Sequence, residues 1–208
     1  GNGVDNRAIT GIGFEPSLVI IKGDTTQLAV FRTASISGDN SLRFYNGSLT
    51  TNLIQSLDTD GFTIGTDAKV NSNSITYYYV AIRRETNDPD FNYGSYTGDG
   101  TDDRNITGVG FQPTLVAIKG DQNSDTANYF DNNDNDSTGD HLFSSGGSFN
   151  NRIQAFSSDG FQIGNRAGGV NDNGIVYYWF CFRLVTRRIT TGTYTGNATD
   201  DRNITGVG

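Results

Sequence analysis

The chain is expected to be all-β, built as tandem antiparallel β-sandwich domains of jelly-roll or immunoglobulin-like type. Three observations predict this. Short runs rich in β-branched and aromatic residues alternate with clusters of Gly, Asn, Asp and Ser about every ten residues. No apolar spacing of helical period competes with them. The whole pattern is then written a second time, displaced by about 97 residues, close to the length at which a single sandwich folds.

In the first copy, strands are expected over residues 7–10, 17–22, 28–32, 41–45, 52–57, 62–64 and 75–83, and the second copy follows the same order. Pro16 and Pro113 fall just before their strands, where a missing N–H costs no ladder bond. Asp60-Gly61 and Asp159-Gly160 read as tight turns between strands. The last strand of each copy is apolar or aromatic on both faces: Ile175, Tyr177, Trp179 and Cys181 on one, Val176, Tyr178, Phe180 and Phe182 on the other. One face belongs to a core, and the other needs a cover, supplied by a neighbouring domain or subunit or by the protein's own loops.

The repeat sets the domain organisation. GNGVDNRAITGIGFEPSLVIIKGD (1–24) returns as GDGTDDRNITGVGFQPTLVAIKGD (98–121), roughly two thirds identical, and its opening returns once more as GNATDDRNITGVG (196–208). Downstream, LIQSLDTDGFTIG matches RIQAFSSDGFQIG, and VNSNSITYYYVAIR matches VNDNGIVYYWFCFR. The expected division is one sandwich over 1–97, a second over 98–195, and over 196–208 the first strand of a third repeat or a strand donated to a neighbour. Joints are expected at GSYTG (94–98) and GTYTG (192–196), with TNDPDFNY read as a short linker stiffened by its Pro, so that the units form beads on a string. With no initiator Met and no signal-type stretch, the chain reads as a processed or excised piece.

Composition removes several function classes. Fifteen Lys and Arg against 23 Asp and Glu leave a net charge of -8, so a phosphate backbone is repelled and no nucleic-acid partner is expected. No run approaches the ~18 apolar residues of a membrane-spanning helix. The lone cysteine, Cys181, has no mate for a disulfide.

GVGFQPTLVAIK (108–119), then SDGFQIG, then VNDNG leading into YYWFCFR, resembles a repeat domain of phage tail-fibre and other virion-associated structural proteins. In that family the pattern is of the form GVGFQPDLVWIK, DSDGFTLG, an N-x-NG turn and a strand such as YVAWCWK. Cys181 falls where the family strand carries its Cys, with Ala81 there in the first copy, and the family's Trp before Ile-Lys is replaced by Ile20 and Ala117. The resemblance covers nearly all of both copies and implies a fibrous setting on a virion or outside the cell. It transfers no ligand and no catalytic residue.

Candidate chemistry is sparse. His141 is the only imidazole, with no nucleophile-elbow motif and no second His. The only two Glu, Glu15 and Glu85, make a poor acid pair, since Gln112 replaces Glu15 in the other copy and Glu85 lies in a linker. An insertion in the second copy carries Asp131, Asp134, Asp136 and Asp140, oxygen donors of the kind Ca²⁺ takes, but without the Gly and Glu of an EF-hand, so a solvated loop is favoured and no cofactor is expected beyond a weak Ca²⁺ candidate. Lys22 and Lys119 end equivalent strands, and a covalent Lys–Asn bond would need a buried acid that the sequence does not reveal beside them.

Each copy opens on an Asp, an Asn or Asp, and an Arg. The sets Asp5 and Arg7, Asp102 and Arg104, and Asp200 and Arg202 are read as inter-repeat joints, an Asx turn followed by an Arg that locks one bead to the preceding one. Tyr77, Tyr79, Tyr177 and Trp179 are read as aromatics for an interface or a ligand. Sequons stand at Asn46, Asn105, Asn135, Asn197 and Asn203, a number composition alone explains, and two of them share one phase of the repeat.

These readings converge on a non-enzymatic structural protein, extracellular or on a virion surface, whose partners are copies of itself or adjacent repeats in a fibre. In its sharpest form the segment 196–208 pairs with the sheet of a neighbour and propagates the filament. A glycan- or receptor-binding module is the alternative, because sandwich loops and aromatic rings commonly carry such sites. An enzyme working through an Asp pair ranks third.

Overall fold

The computed structural model describes residues 1–132, 141–143, 147, 149–183, 194–198 and 200–205. Every regular element among them is a β-strand and every pairing is antiparallel. The first repeat contains β1 (Arg7–Thr10), β2 (Leu18–Gly23), β3 (Val30–Thr33), β4 (Leu42–Arg43), β5 (Ile54–Asp58), β6 (Gly61–Ile64) and β7 (Tyr77–Ile82). They form two sheets, β1-β6-β5 and β4-β3-β2-β7. Alternation explains the layering: Val19, Ile21 and Val30 of the second sheet point at Ile54, Phe62 and Ile64 of the first and close a core with Leu53 and Val70.

The second repeat contains β9 (Arg104–Thr107), β10 (Leu115–Gly120), β11 (Asn128–Asp131), β12 (His141–Leu142), β13 (Ile153–Ser157), β14 (Gly160–Ile163) and β15 (Val176–Phe182), with the same arrangement and one strand more. That strand is β8 (Phe91–Thr97). Its sheet runs β12-β11-β10-β15-β8, facing β13-β14-β9 across a core of Ile118, Phe161, Ile163, Tyr177 and Trp179.

β8 overturns the reading of TNDPDFNY as a linker. Phe91 to Thr97 pairs with β15 along its full length, Phe91 opposite Phe182 through Thr97 opposite Val176. The strand thus lies before residue 98, where the repeat period places the boundary, and is hydrogen-bonded into the second repeat. It starts at Phe91 for local reasons: the Asp88 carboxylate accepts the amides of Asp90 (2.9 Å) and Phe91 (3.2 Å), and Arg183 grips Asp90 through its side chain (3.0 and 3.1 Å) and its backbone amide (2.8 Å).

The two repeats are not separated beads. The outer face of β15 lies on the sheet β4-β3-β2-β7, and Leu18, Phe31, Ile36 and Leu42 of the first repeat share one buried cluster with Phe91, Ala117, Tyr178, Phe180 and Phe182 of the second. The described residues are therefore stacked four sheets deep, and the doubly apolar strand is explained by a core on each side.

Candidate assembly interface

The inter-repeat contact is a core with a hydrogen-bonded rim. At its centre, Phe31 meets Phe180 edge to face, and at one end Phe44 packs on Phe143 with centroids 4.8 Å apart. Around it, the Ala127 amide donates to the Phe44 carbonyl (3.0 Å), the Leu49 amide to Asp121 Oδ1 (2.7 Å), and Thr126 Oγ1 to Asn46 Oδ1 (2.8 Å). The aromatics that join the repeats are Tyr178, Phe180 and Phe182. Tyr177 and Trp179, on the opposite face, lie in the second repeat's own core, where Trp179 meets Phe161 at 5.6 Å.

The Asp-x-Arg entrances share one backbone. Their middle residues, Asn6, Asp103 and Asp201, have φ of 54°, 56° and 52°, the left-handed conformation that Asn and Asp tolerate. The Arg that follows reaches the loop after the sixth strand of its own sandwich: Arg7 donates to Asn71 Oδ1 (3.3 Å) and Arg104 to Asn171 Oδ1 (3.2 Å). Asp5 and Asp102 likewise accept from Gln55 (3.0 Å) and Gln154 (3.3 Å) of their own repeats. These bonds fasten each entry strand inside its sandwich, where the sequence reading has it locked to the bead before.

Arg104 also ties β8 to this corner. It donates to the Thr97 carbonyl (2.7 Å), lies 5.3 Å above the Tyr96 ring, and pairs with Asp99 (3.4 Å). Tyr96 stacks on Tyr177, centroids 5.3 Å apart at 18°, and its hydroxyl donates to the Val170 carbonyl (2.6 Å). Burial pushes this phenol well above its ordinary value. The third entrance repeats the local arrangement without a sheet: Arg202 donates to the Thr195 carbonyl and lies 5.4 Å above the ring of Tyr194, which is 66% exposed.

The corresponding corner of the first repeat lies beside Gly1, the counterpart of Gly98. Among the described residues no strand pairs with the outer edge of β7, and a cavity of about 300 Å³ opens there, walled by Arg7, Ile9, Val70, Ile75, Tyr77 and Tyr79 among others. Every lining residue has the same identity in the second repeat except Thr76 and Tyr79, which are Val176 and Trp179. Tyr78, Tyr79 and Val80 on this edge strand are exposed by 65%, 47% and 54%, whereas Tyr178, Trp179 and Phe180 are buried.

Other sequence candidates are scattered. Asp131 lies in β11, while Asp134, Asp136 and Asp140 fall outside the described residues, as does Asn135. Asn46, Asn105, Asn197 and Asn203 are exposed, but the Asn46 amide oxygen is held across the inter-repeat rim. His141 lies in β12 beside Tyr129, ring centroids 5.4 Å apart.

Sequence reasoning missed a buried polar cluster in the second repeat. Lys119 is fully buried; its ammonium donates to the carbonyls of Gly120 and Gln122, and desolvation lowers its pKa to about 8. A buried acid, Asp125, does lie beside it. The Asn128 amide oxygen is taken by Arg152 (2.6 Å), so the lysine is arranged for carbonyl binding rather than for a bond to that Asn. The available signal was the replacement of Val30 and Leu53 by Asn128 and Arg152 at equivalent core positions.

A family model described as Domain of unknown function (DUF7483) matches residues 86–193, thereby including β8. No curated protein and no solved structure matches the chain.

Proposed function

We propose, for a chain that belongs to the DUF7483 family of domains of unknown function, that it is a non-enzymatic structural subunit of an extracellular or virion fibre made of tandem β-sandwich repeats. The observation that carries this reading is the joining of two like sandwiches through one buried aromatic cluster, with Phe31, Leu42, Phe180 and Phe182 at its centre. A binding module strung on a linker has no need of a second core between its domains, whereas a load-bearing rod does. The third entrance motif, with Tyr194 and Arg202 already in the arrangement of Tyr96 and Arg104, fits a chain organised to continue the series.

Negative-stain electron microscopy of the purified chain, alongside a version ending at Gly192 in the repeat joint, tests the reading. Regular filaments from the full chain and dispersed particles from the shortened one are the expected result. Dispersed particles from both at all concentrations would remove the fibre reading for this segment.

A further inference from the structure

The loop between β10 and β11, residues 121–127, faces two ways. Outward, it supplies the second repeat's side of the inter-repeat rim: Asp121 accepts the Leu49 amide (2.7 Å), Asn123 accepts the Ser48 amide (3.3 Å), the Thr126 hydroxyl donates to Asn46 (2.8 Å), and the Ala127 amide donates to the Phe44 carbonyl (3.0 Å). Inward, it carries Asp125, which is 1% exposed.

Neither carboxyl oxygen of Asp125 has a hydrogen-bond partner among the described residues. The Gln122 side chain, on the same loop, donates to Asp172 (3.1 Å), Arg152 donates to Asn128 (2.6 Å), and the Lys119 ammonium donates to the carbonyls of Gly120 and Gln122. The seat is tight. A Cβ on Gly120 would lie 2.5 Å from Asp125 Oδ2 and 2.7 Å from the Tyr177 ring, so the carboxyl rests over Gly120 in a space that only a glycine leaves open. In the first repeat, counting back from Val30, the equivalent of Asn128, the same place in the loop belongs to Gln27, which does not ionise.

We propose that Asp125 is a proton-operated catch on the inter-repeat joint: as a neutral acid it seats loop 121–127 on the second repeat's core and holds the rim closed, and its ionisation releases the loop from the first repeat. A carboxylate buried without hydrogen bonds is costly, and swinging the loop outward is what brings it to water. Of the groups around it, Lys119 of β10 and Arg152 ahead of β13 favour the anion, Asp172 after β14 opposes it, and the phenols of Tyr96 in β8 and Tyr177 in β15 are kept neutral by burial. Asp121, on the same loop, is turned to the rim. Burial outweighs the two cations and raises the Asp125 carboxyl above the ordinary aspartate value. With the folded value raised, the contribution to closure is complete below the value of the opened loop and is lost as pH rises through the folded one. The joint is therefore tightest in acid. The catch is independent of the fibre reading, since it acts between the two repeats of one chain whatever that chain builds.

The test is hydrogen exchange of the 208-residue chain between about pH 4 and 8, with each amide's rate corrected for the intrinsic effect of pH. The Ala127 amide, bonded to a carbonyl that does not titrate, reports opening of the loop, and the Ala34 amide, bonded to the Ser17 carbonyl (2.9 Å) in the first repeat, is the reference. The opening constant at Ala127 is expected to rise by up to about tenfold per pH unit above the ordinary aspartate value and to level off above the folded one, with no such rise at Ala34. Asp125→Asn, which keeps the shape and does not ionise, should abolish the rise, and Asp125→Gln, the residue of the first repeat, should do the same. An Ala127 opening that is flat in the parent, or that rises equally in the two variants, overturns the proposal. So does a rise shared in full by Ala34, which is the mark of global unfolding rather than of one loop's release.

Discussion

Phe31 of the first repeat and Phe180 of the second meet edge to face, with ring centroids 5.7 Å apart and planes at 72°. Both are at least 95% buried, so this pair sits where the two sandwiches become one body.

Coupling through that pair predicts a single unfolding transition for the parent chain, since neither repeat opens without exposing the shared cluster. Phe180→Ala should cost about 3–5 kcal/mol and split the denaturation curve into two steps. Urea titrations followed by circular dichroism check both outcomes, and an unsplit curve with an unchanged midpoint would contradict them.

A second prediction concerns Gly94. A methyl group there would lie 2.7 Å from the Trp179 ring, which is held in the core by Phe161 and cannot swing clear. Gly94→Ala is expected to destabilise by about 1–3 kcal/mol and to shift tryptophan emission, Trp179 being the only tryptophan. Gly100→Ala, where φ is +72° but the nearest atom is 3.9 Å away, serves as a comparison whose cost is backbone strain without a change in emission.

Asp60 and Asp159 each accept two glycine amides: Gly13 (2.6 Å) and Gly11 (3.0 Å) for the first, Gly110 (2.6 Å) and Gly108 (3.0 Å) for the second. These bonds hold both carboxyls below the usual aspartate value. A folded-state value below the unfolded one means a contribution present above the unfolded value and lost as pH falls through the folded one. Asp60→Asn with Asp159→Asn should therefore lower stability at neutral pH and flatten its decline in acid. Thermal melts between pH 2 and 7 check this, and an acid limb as steep as the parent's would refute it.

Lys119 gives the opposite limb. Its folded-state value of about 8 lies below the ordinary 10.5, chiefly through desolvation, so the unfolded chain binds more protons between the two values. Stability is expected to rise as pH increases from about 8 towards 10.5, and Lys119→Met should remove that rise. Lys22→Met, at the exposed equivalent position, should leave it intact.

The strand pattern was legible because β-branched and aromatic residues are concentrated in LVIIKG, VFRT and VYYWFCF, and the structure places strands within a few residues of where these runs put them. β8 was not, because Pro89 just before it and Gly94 within it punctuate FNYGSYT as a linker would, while its alternation of Phe91 and Tyr93 against Asn92 and Tyr96 is short. The doubly apolar β15 announced a cover without naming it; only folding shows that Phe31 and Leu42 supply it. Lys22 and Lys119 share the context Ile-Lys-Gly-Asp, yet one is exposed and the other fully buried, since burial depends on the loop carrying Asp125 and on neighbours far along the chain.

The Arg183–Asp90 clasp acquires a mechanical meaning from the direction of the strands. Chain enters β8 at Phe91 and leaves β15 at Phe182, and those two residues face each other at the same end of the ladder. Tension along the chain would pull that end apart and peel the pair one rung at a time rather than shear all rungs together. The ion pair at the loaded end is then the first bond to feel the pull, and the rate at which the strands part is set by how long Arg183 keeps hold of Asp90.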